Sequence, residues 1–144
     1  MSDRFLRTSL VALSLAGAVV SAYVLVARWT SAGLLCSTGG CETVQSSEYA
    51  ELLGLPVAGL GIVGYLVIAA AALGRGPRAR AAAAAVALGA AVFGGYLLVI
   101  QLVVIDAVCD WCLTSDAITS LIAAVALVRL LRAGDGGISR ARMS

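Results

Sequence analysis

Residues 81–112 read AAAAAVALGAAVFGGYLLVIQLVVIDAVCDWC. The first 25 of these, Ala81 to Ile105, carry no charge. At ~1.5 Å per residue, a helix of that length crosses the roughly 30 Å hydrocarbon core of a bilayer. Two similar runs precede it: Thr8 to Ala27, 20 residues between Arg7 and Arg28, and Leu52 to Gly74, 23 residues. A fourth stretch, Cys112 to Leu131, is apolar but holds Asp116 near its start and Arg129 near its end. The composition agrees. The chain is 61% hydrophobic and 12% charged, too few charges to cover so much apolar surface in water. We therefore expect an all-α integral membrane protein, a bundle of four transmembrane helices in one membrane domain spanning 1–144. The helices are expected near 8–28, 54–74, 81–105 and 110–131, with an outer loop over 29–53. The first run follows Arg4 and Arg7 like a secretory leader, but it is long and ends at Arg28-Trp29 without a small-residue cleavage site, so it reads as a span.

Arginine placement orients the bundle. All ten basic residues are arginines, and nine of them lie in the two tails and the 75–80 loop. Only Arg28 lies on the other side. By the positive-inside rule both termini are cytoplasmic, and residues 28–51 and 106–111 lie outside. That places Cys36, Cys41, Cys109 and Cys112 on the outer face, in a compartment where disulfides persist.

Several functions are excluded or weakened. A net charge of +2 is too small to suggest nucleic-acid binding, and no glycine loop suited to phosphate is present. The chain has no histidine, so it lacks the commonest general base and metal ligand. An ion-coupled exporter would need ionisable residues within its helices, and the first three have none.

The chemistry rests on the cysteines. Cys109-x-x-Cys112 puts two thiols on one face at the start of a helix, where the helix dipole favours a thiolate; Asp110 opposes that effect. Cys36 and Cys41 bracket "CSTGGC", whose Gly39 and Gly40 allow a mobile loop. Two inert staples, a thiol–disulfide relay and a four-cysteine zinc site all fit this spacing. Zinc suits an oxidising compartment poorly. A staple within one helical turn constrains little chain entropy. In the same loop, Ser47 reads as the N-cap of a short surface helix over "EYAELL", with Tyr49, Leu52 and Leu53 towards the membrane. Small residues such as Ala18, Ser21, Ala90, Gly94, Ala91 and Gly95 read as helix-packing positions. Pro56 suits a first helical turn.

These motifs together resemble the vitamin K epoxide reductase family. The likeness is carried by Cys36-x4-Cys41-x2-Val44-x2-Ser47, Tyr49-Ala50, Gly54-Leu55-Pro56, Gly61-x3-Tyr65 and the later Cys109-x-x-Cys112, over residues 8 to about 130. The resemblance implies a four-helix bundle around a quinone site near the outer face. It implies Cys109 and Cys112 as the active pair, with Cys112 next to the quinone, and Cys41 as the cysteine that exchanges with Cys109. Cys36 would meet the partner, and Ser47 would hydrogen-bond a quinone oxygen.

It further implies a quinone-dependent thiol–disulfide oxidoreductase of the bacterial cytoplasmic (inner) membrane, using menaquinone or ubiquinone and supporting disulfide formation. The oxidised partner would be a thioredoxin-like (DsbA-like) protein. Some members carry that domain fused at the C-terminus; here the chain ends at Ser144, so a separate partner is expected. No metal is expected. The alternatives are reduction of vitamin K epoxide by the same relay, or a non-catalytic, disulfide-stapled membrane protein. One departure stands out: Asp116 occupies a position where some members carry tyrosine. It is four residues past Cys112 and so on the same helix face. Either it lies near the quinone and tunes it, or it reaches outer-surface water or bonds Thr119 or Ser120.

Overall fold

A computed structural model describes all 144 residues. Its backbone is nearly all helix: α1 (Asp3–Thr30), α2 (Cys41–Gln45), α3 (Val57–Leu73), α4 (Pro77–Val99) and α5 (Asp110–Met143). A short hairpin of β1 (Glu51–Leu52) and β2 (Leu55–Pro56) is the exception. The helices α1, α3, α4 and α5 pack in that cyclic order, each against its neighbours. Three are long and apolar enough to cross a membrane; α3, with 17 residues, is shorter, at about 26 Å.

The packing is that of a membrane bundle. Only 24 of 144 residues are buried, and large side chains such as Val19, Val63, Val92 and Leu121 point outward. The interior is narrow. Leu10, Tyr65, Ile68 and Ile122 interlock with the small residues Ala72, Ala84, Ala87, Ala123 and Ala126. Small residues allow this close approach, which lipid cannot drive by hydrophobicity. A Cβ at Gly17 would run into the ring of Tyr65, and one at Gly61 would press on Ser21 Oγ at 3.0 Å. The Tyr65 hydroxyl reaches Ser115 Oγ and Thr119 Oγ1, both at 2.7 Å, joining α3 to α5 inside the bundle.

The end of the bundle away from the cysteines is held by Arg129, whose side chain is 1% exposed. It donates to the carbonyls of Ala72 (3.1 Å) and Gly74 (2.9 Å) and to Asp3 Oδ1 (3.0 Å). It therefore satisfies the last turn of α3 and ties in the start of α1. Arg80 also meets Asp3, at 3.4 Å. The starts of α1 and α4, the end of α3 and this part of α5 thus share one end of the bundle. The four cysteines occupy the other.

Several boundaries differ from the sequence reading. The expected surface helix over "EYAELL" is one 3₁₀ turn, Glu48–Ala50, followed by the hairpin. Leu53 (φ 54°) and Gly54 (φ 80°) form its tip, and two positive φ values in a row suit a two-residue hairpin turn and end any helix. Ser47 does not cap that turn with its side chain; its hydroxyl donates back to the Val44 carbonyl at 2.6 Å. Leu52 and Leu53 are exposed, whereas Tyr49 is half-buried and lines a cavity. Pro56 stands at the N-cap of α3, not within its first turn.

The run Ala81–Ile105 is not one regular helix. From Ile100 to Ile105 it widens to a π-helix, which ends at Asp106 in the left-handed region. The last helix continues past Leu131 to Met143, through Gly134, Gly136 and Gly137.

Candidate redox site

The site begins with how α5 starts. Cys109 is its N-cap, and the Cys109 sulfur accepts the backbone N–H of Cys112 at 3.3 Å. A thiol in place of the usual hydroxyl or carboxylate therefore takes one of the free amides at a helix N-terminus. The Cys112 Sγ lies 2.6 Å from Cys109 Sγ, inside van der Waals contact, so the pair needs almost no movement to close a disulfide. The Cys109 thiol is held down from 9.0 to about 7, chiefly by the hydrogen bond from the Cys112 thiol. Burial opposes this, and the amides of Cys112 and Trp111 and the Gln45 side chain add to it.

The loop above carries a formed disulfide between Cys36 and Cys41, with Cα atoms 6.0 Å apart. Cys41 opens α2 and is fully buried. Cys41, Val44 and Cys109 form one buried cluster, with Cys36, Cys112 and Trp111 packed around it. The two cysteine pairs are thus neighbours, and Cys41 and Cys109 are the fully buried members.

The loop is docked, not loose. Asp110 Oδ2 accepts the N–H of Ser37 (2.6 Å) and of Thr38 (3.3 Å). Thr38 Oγ1 donates to the Val108 carbonyl at 2.7 Å, and Trp111 Nε1 to the Leu35 carbonyl at 2.7 Å. Gly40 presses so closely on the Val108 backbone that a Cβ would not fit, and Gly39 (φ 74°) sits in the left-handed region. The two glycines therefore serve a tight turn and a close approach. Asp110 turns away from Cys109, towards the loop amides. Its carboxylate and the sulfurs of Cys36 and Cys41 lie within 4.8 Å of one another. Joined as a disulfide, those sulfurs offer no thiolate to a metal.

Beneath the cysteines lies a cavity of about 110 Å³ between α1, α3, α4, α5 and the loop. Val20, Val24, Leu97, Ile100 and Ile105 make its apolar wall. Cys112, Ser47, Gln45, Gln101, Ser115 and Asp116 supply polar groups. The cavity is an apolar slot with a few converging polar groups beside a thiol. Asp116 does not bond Thr119, whose hydroxyl is taken by Tyr65 and by the Ser115 carbonyl. It lines the cavity instead, and Gly94 of α4 leaves room for its carboxylate. Gly94 is thus more than a packing position.

All six candidate residues from the sequence converge here: the four cysteines around one cluster, and Ser47 and Asp116 on the cavity that also meets Cys112. The sequence reading missed two glutamines. Gln45 Nε2 donates to Cys112 Sγ at 3.4 Å, and Gln101 Oε1 accepts the Cys109 N–H at 3.0 Å. Signals for both existed. Gln45 follows Cys41 by four residues, on the same helix face. Gln101 is the only amide side chain in the Ala81–Ile105 run, and polar residues within a span mark functional sites.

The helical bundle thus carries a disulfide packed against a second cysteine pair, above an apolar cavity. The chain belongs to the vitamin K epoxide reductase family, whose family model matches residues 8–127. Membership carries with it thiol–disulfide chemistry in the membrane and the use of a quinone.

Proposed function

We propose that this protein oxidises a thioredoxin-like partner and passes the electrons to a membrane quinone, so supporting disulfide formation outside the cytoplasmic membrane. The observation that carries the reading is the order of the sulfurs from surface to cavity. Cys36 is half-buried at the loop, Cys41 and Cys109 are buried against each other, and Cys112 opens on the cavity.

The steps balance as follows. A partner thiolate attacks Cys36 of the loop disulfide, and Cys41 leaves as thiolate. The partner's second thiol resolves the mixed disulfide, so the partner is oxidised and the loop pair reduced. Cys41 then attacks Cys109 of an inner Cys109–Cys112 disulfide, releasing Cys112, and Cys36 closes on Cys41. The result is an oxidised loop and a reduced inner pair. Cys109 and Cys112 then close their own disulfide as two electrons and two protons leave to the quinone, giving quinol. Ser47 and Asp116 border the acceptor, and Asp116 is placed to supply a proton.

The test is anaerobic incubation with ubiquinone-1 or menadione and a reduced thioredoxin-like protein, following quinol formation. Wild type should turn over, and each of Cys36→Ser, Cys41→Ser, Cys109→Ser and Cys112→Ser should lose partner-driven turnover. Undiminished quinone reduction in Cys112→Ser would overturn the relay.

A further inference from the structure

Gln101 is 3% exposed, yet only half of its side-chain amide is used within the protein. Its Oε1 accepts the Cys109 N–H at 3.0 Å. That bond fixes the orientation of the group, since an N–H can only meet the oxygen end. Nε2 is therefore turned away from Cys109. No protein atom accepts from it, and Gln101 is part of the wall of the cavity that holds Cys112 and Asp116. The π-helix of residues 100–105 carries Gln101, and such widened turns concentrate at functional sites.

Two other donors on the same wall are committed. The Ser47 hydroxyl donates to the Val44 carbonyl, and Trp111 Nε1 to the Leu35 carbonyl. A buried amide with free hydrogens, in an otherwise apolar slot, calls for an acceptor oxygen from outside the protein.

We propose that Gln101 binds the electron acceptor: its Nε2 donates to a carbonyl oxygen of the quinone while its Oε1 holds the Cys109 backbone. One side chain then sets the register between the acceptor and the active cysteine pair. This inference rests on the quinone reading of the cavity.

The experiment uses the full chain in lipid nanodiscs, dithiothreitol as electron donor and ubiquinone-1 as acceptor. Gln101→Glu keeps the oxygen that holds the Cys109 N–H and removes the amide hydrogens; Gln101→Met, which removes both, is the second variant. Each should raise the KM for ubiquinone-1 about tenfold, the loss of one hydrogen bond, and Gln101→Glu should leave the KM for dithiothreitol unchanged. A merely structural role would not divide the two constants in this way. Infrared spectra of carbonyl-labelled ubiquinone-1 give a second readout. The bound carbonyl stretch should lie below that of quinone in empty nanodiscs for wild type and return towards it in the variants. An unchanged KM for ubiquinone-1 in a folded variant overturns the proposal and leaves the quinone reading standing. If neither variant folds, a carbonyl stretch in wild type equal to that in empty nanodiscs overturns it. If wild type reduces no quinone at all, the proposal and the functional reading fall together.

Discussion

Asp110 Oδ2 and the backbone N–H of Ser37, 73 residues apart in sequence, meet at 2.6 Å. With the second bond to Thr38, this carboxylate fixes the disulfide loop on the start of the helix that bears the inner thiols. Asp110→Ala should release the loop. Hydrogen bonds to a charged group contribute about 1.5–3 kcal/mol each, so exchange of the Ser37 and Thr38 amides should speed by roughly tenfold or more. Partner-driven turnover should fall with it. Asp110→Asn keeps an acceptor and should lie between the two. Hydrogen exchange read by mass spectrometry checks this, and unaltered protection in Asp110→Ala would refute it.

The Cys109 thiol, held down to about 7, makes the reduced protein sensitive to pH. Its folded value lies below the ordinary 9.0, so thiolate accumulates as pH rises through about 7. The same shift stabilises the folded, reduced protein fully above the unfolded thiol's range, and that gain is lost as pH falls through about 7. Thiolate absorbance near 240 nm, wild type minus Cys109→Ser, should show a midpoint near 7; a midpoint of 9 would contradict it.

Asp116→Asn should slow quinone reduction at least about tenfold and change its pH profile, as removal of a proton-transferring group does. Gly94→Ala should act in the same direction without touching the carboxyl, because the new methyl group meets the Asp116 oxygens. Steady-state quinol formation across pH 5.5–8.5 is the measurement. Normal turnover with a normal profile in Asp116→Asn would remove the proton-donor role.

Arg129→Leu should destabilise the bundle by about 1–3 kcal/mol, since it leaves the Ala72 and Gly74 carbonyls at the end of α3 without their partner. Arg129→Lys should rescue little, because one ammonium cannot span acceptors that a planar fork reaches together. Unfolding in detergent would measure both, and a wild-type midpoint for Arg129→Leu would be decisive against the reading.

Much of the bundle is legible from charge-free runs, because a span needs only length and apolarity. The misread loop shows the limit. Ser47 followed by Glu48 looks like a helix start, yet the Leu53–Gly54 turn breaks the pattern after three residues. The π-helix is equally invisible, since Ile100–Ile105 has the same apolar composition in either geometry. Gln101 was visible as a residue, but not the atom it would meet. In the same way, Asp110 read as a charge opposing Cys109, because its side chain's direction depends on the docked loop.

The sequence by itself determined the membrane environment, the shared face of the four cysteines and their family pattern, because composition, spacing and charge asymmetry are properties of the chain. Tertiary structure decided which groups surround each sulfur. Helix packing brings Cys41 to Cys109, turns Asp116 and Gln101 to one cavity and presses Gly40 onto Val108. Such contacts join residues distant in sequence, Asp110 and Ser37 by 73 positions, and only close packing of several helices fixes such distances.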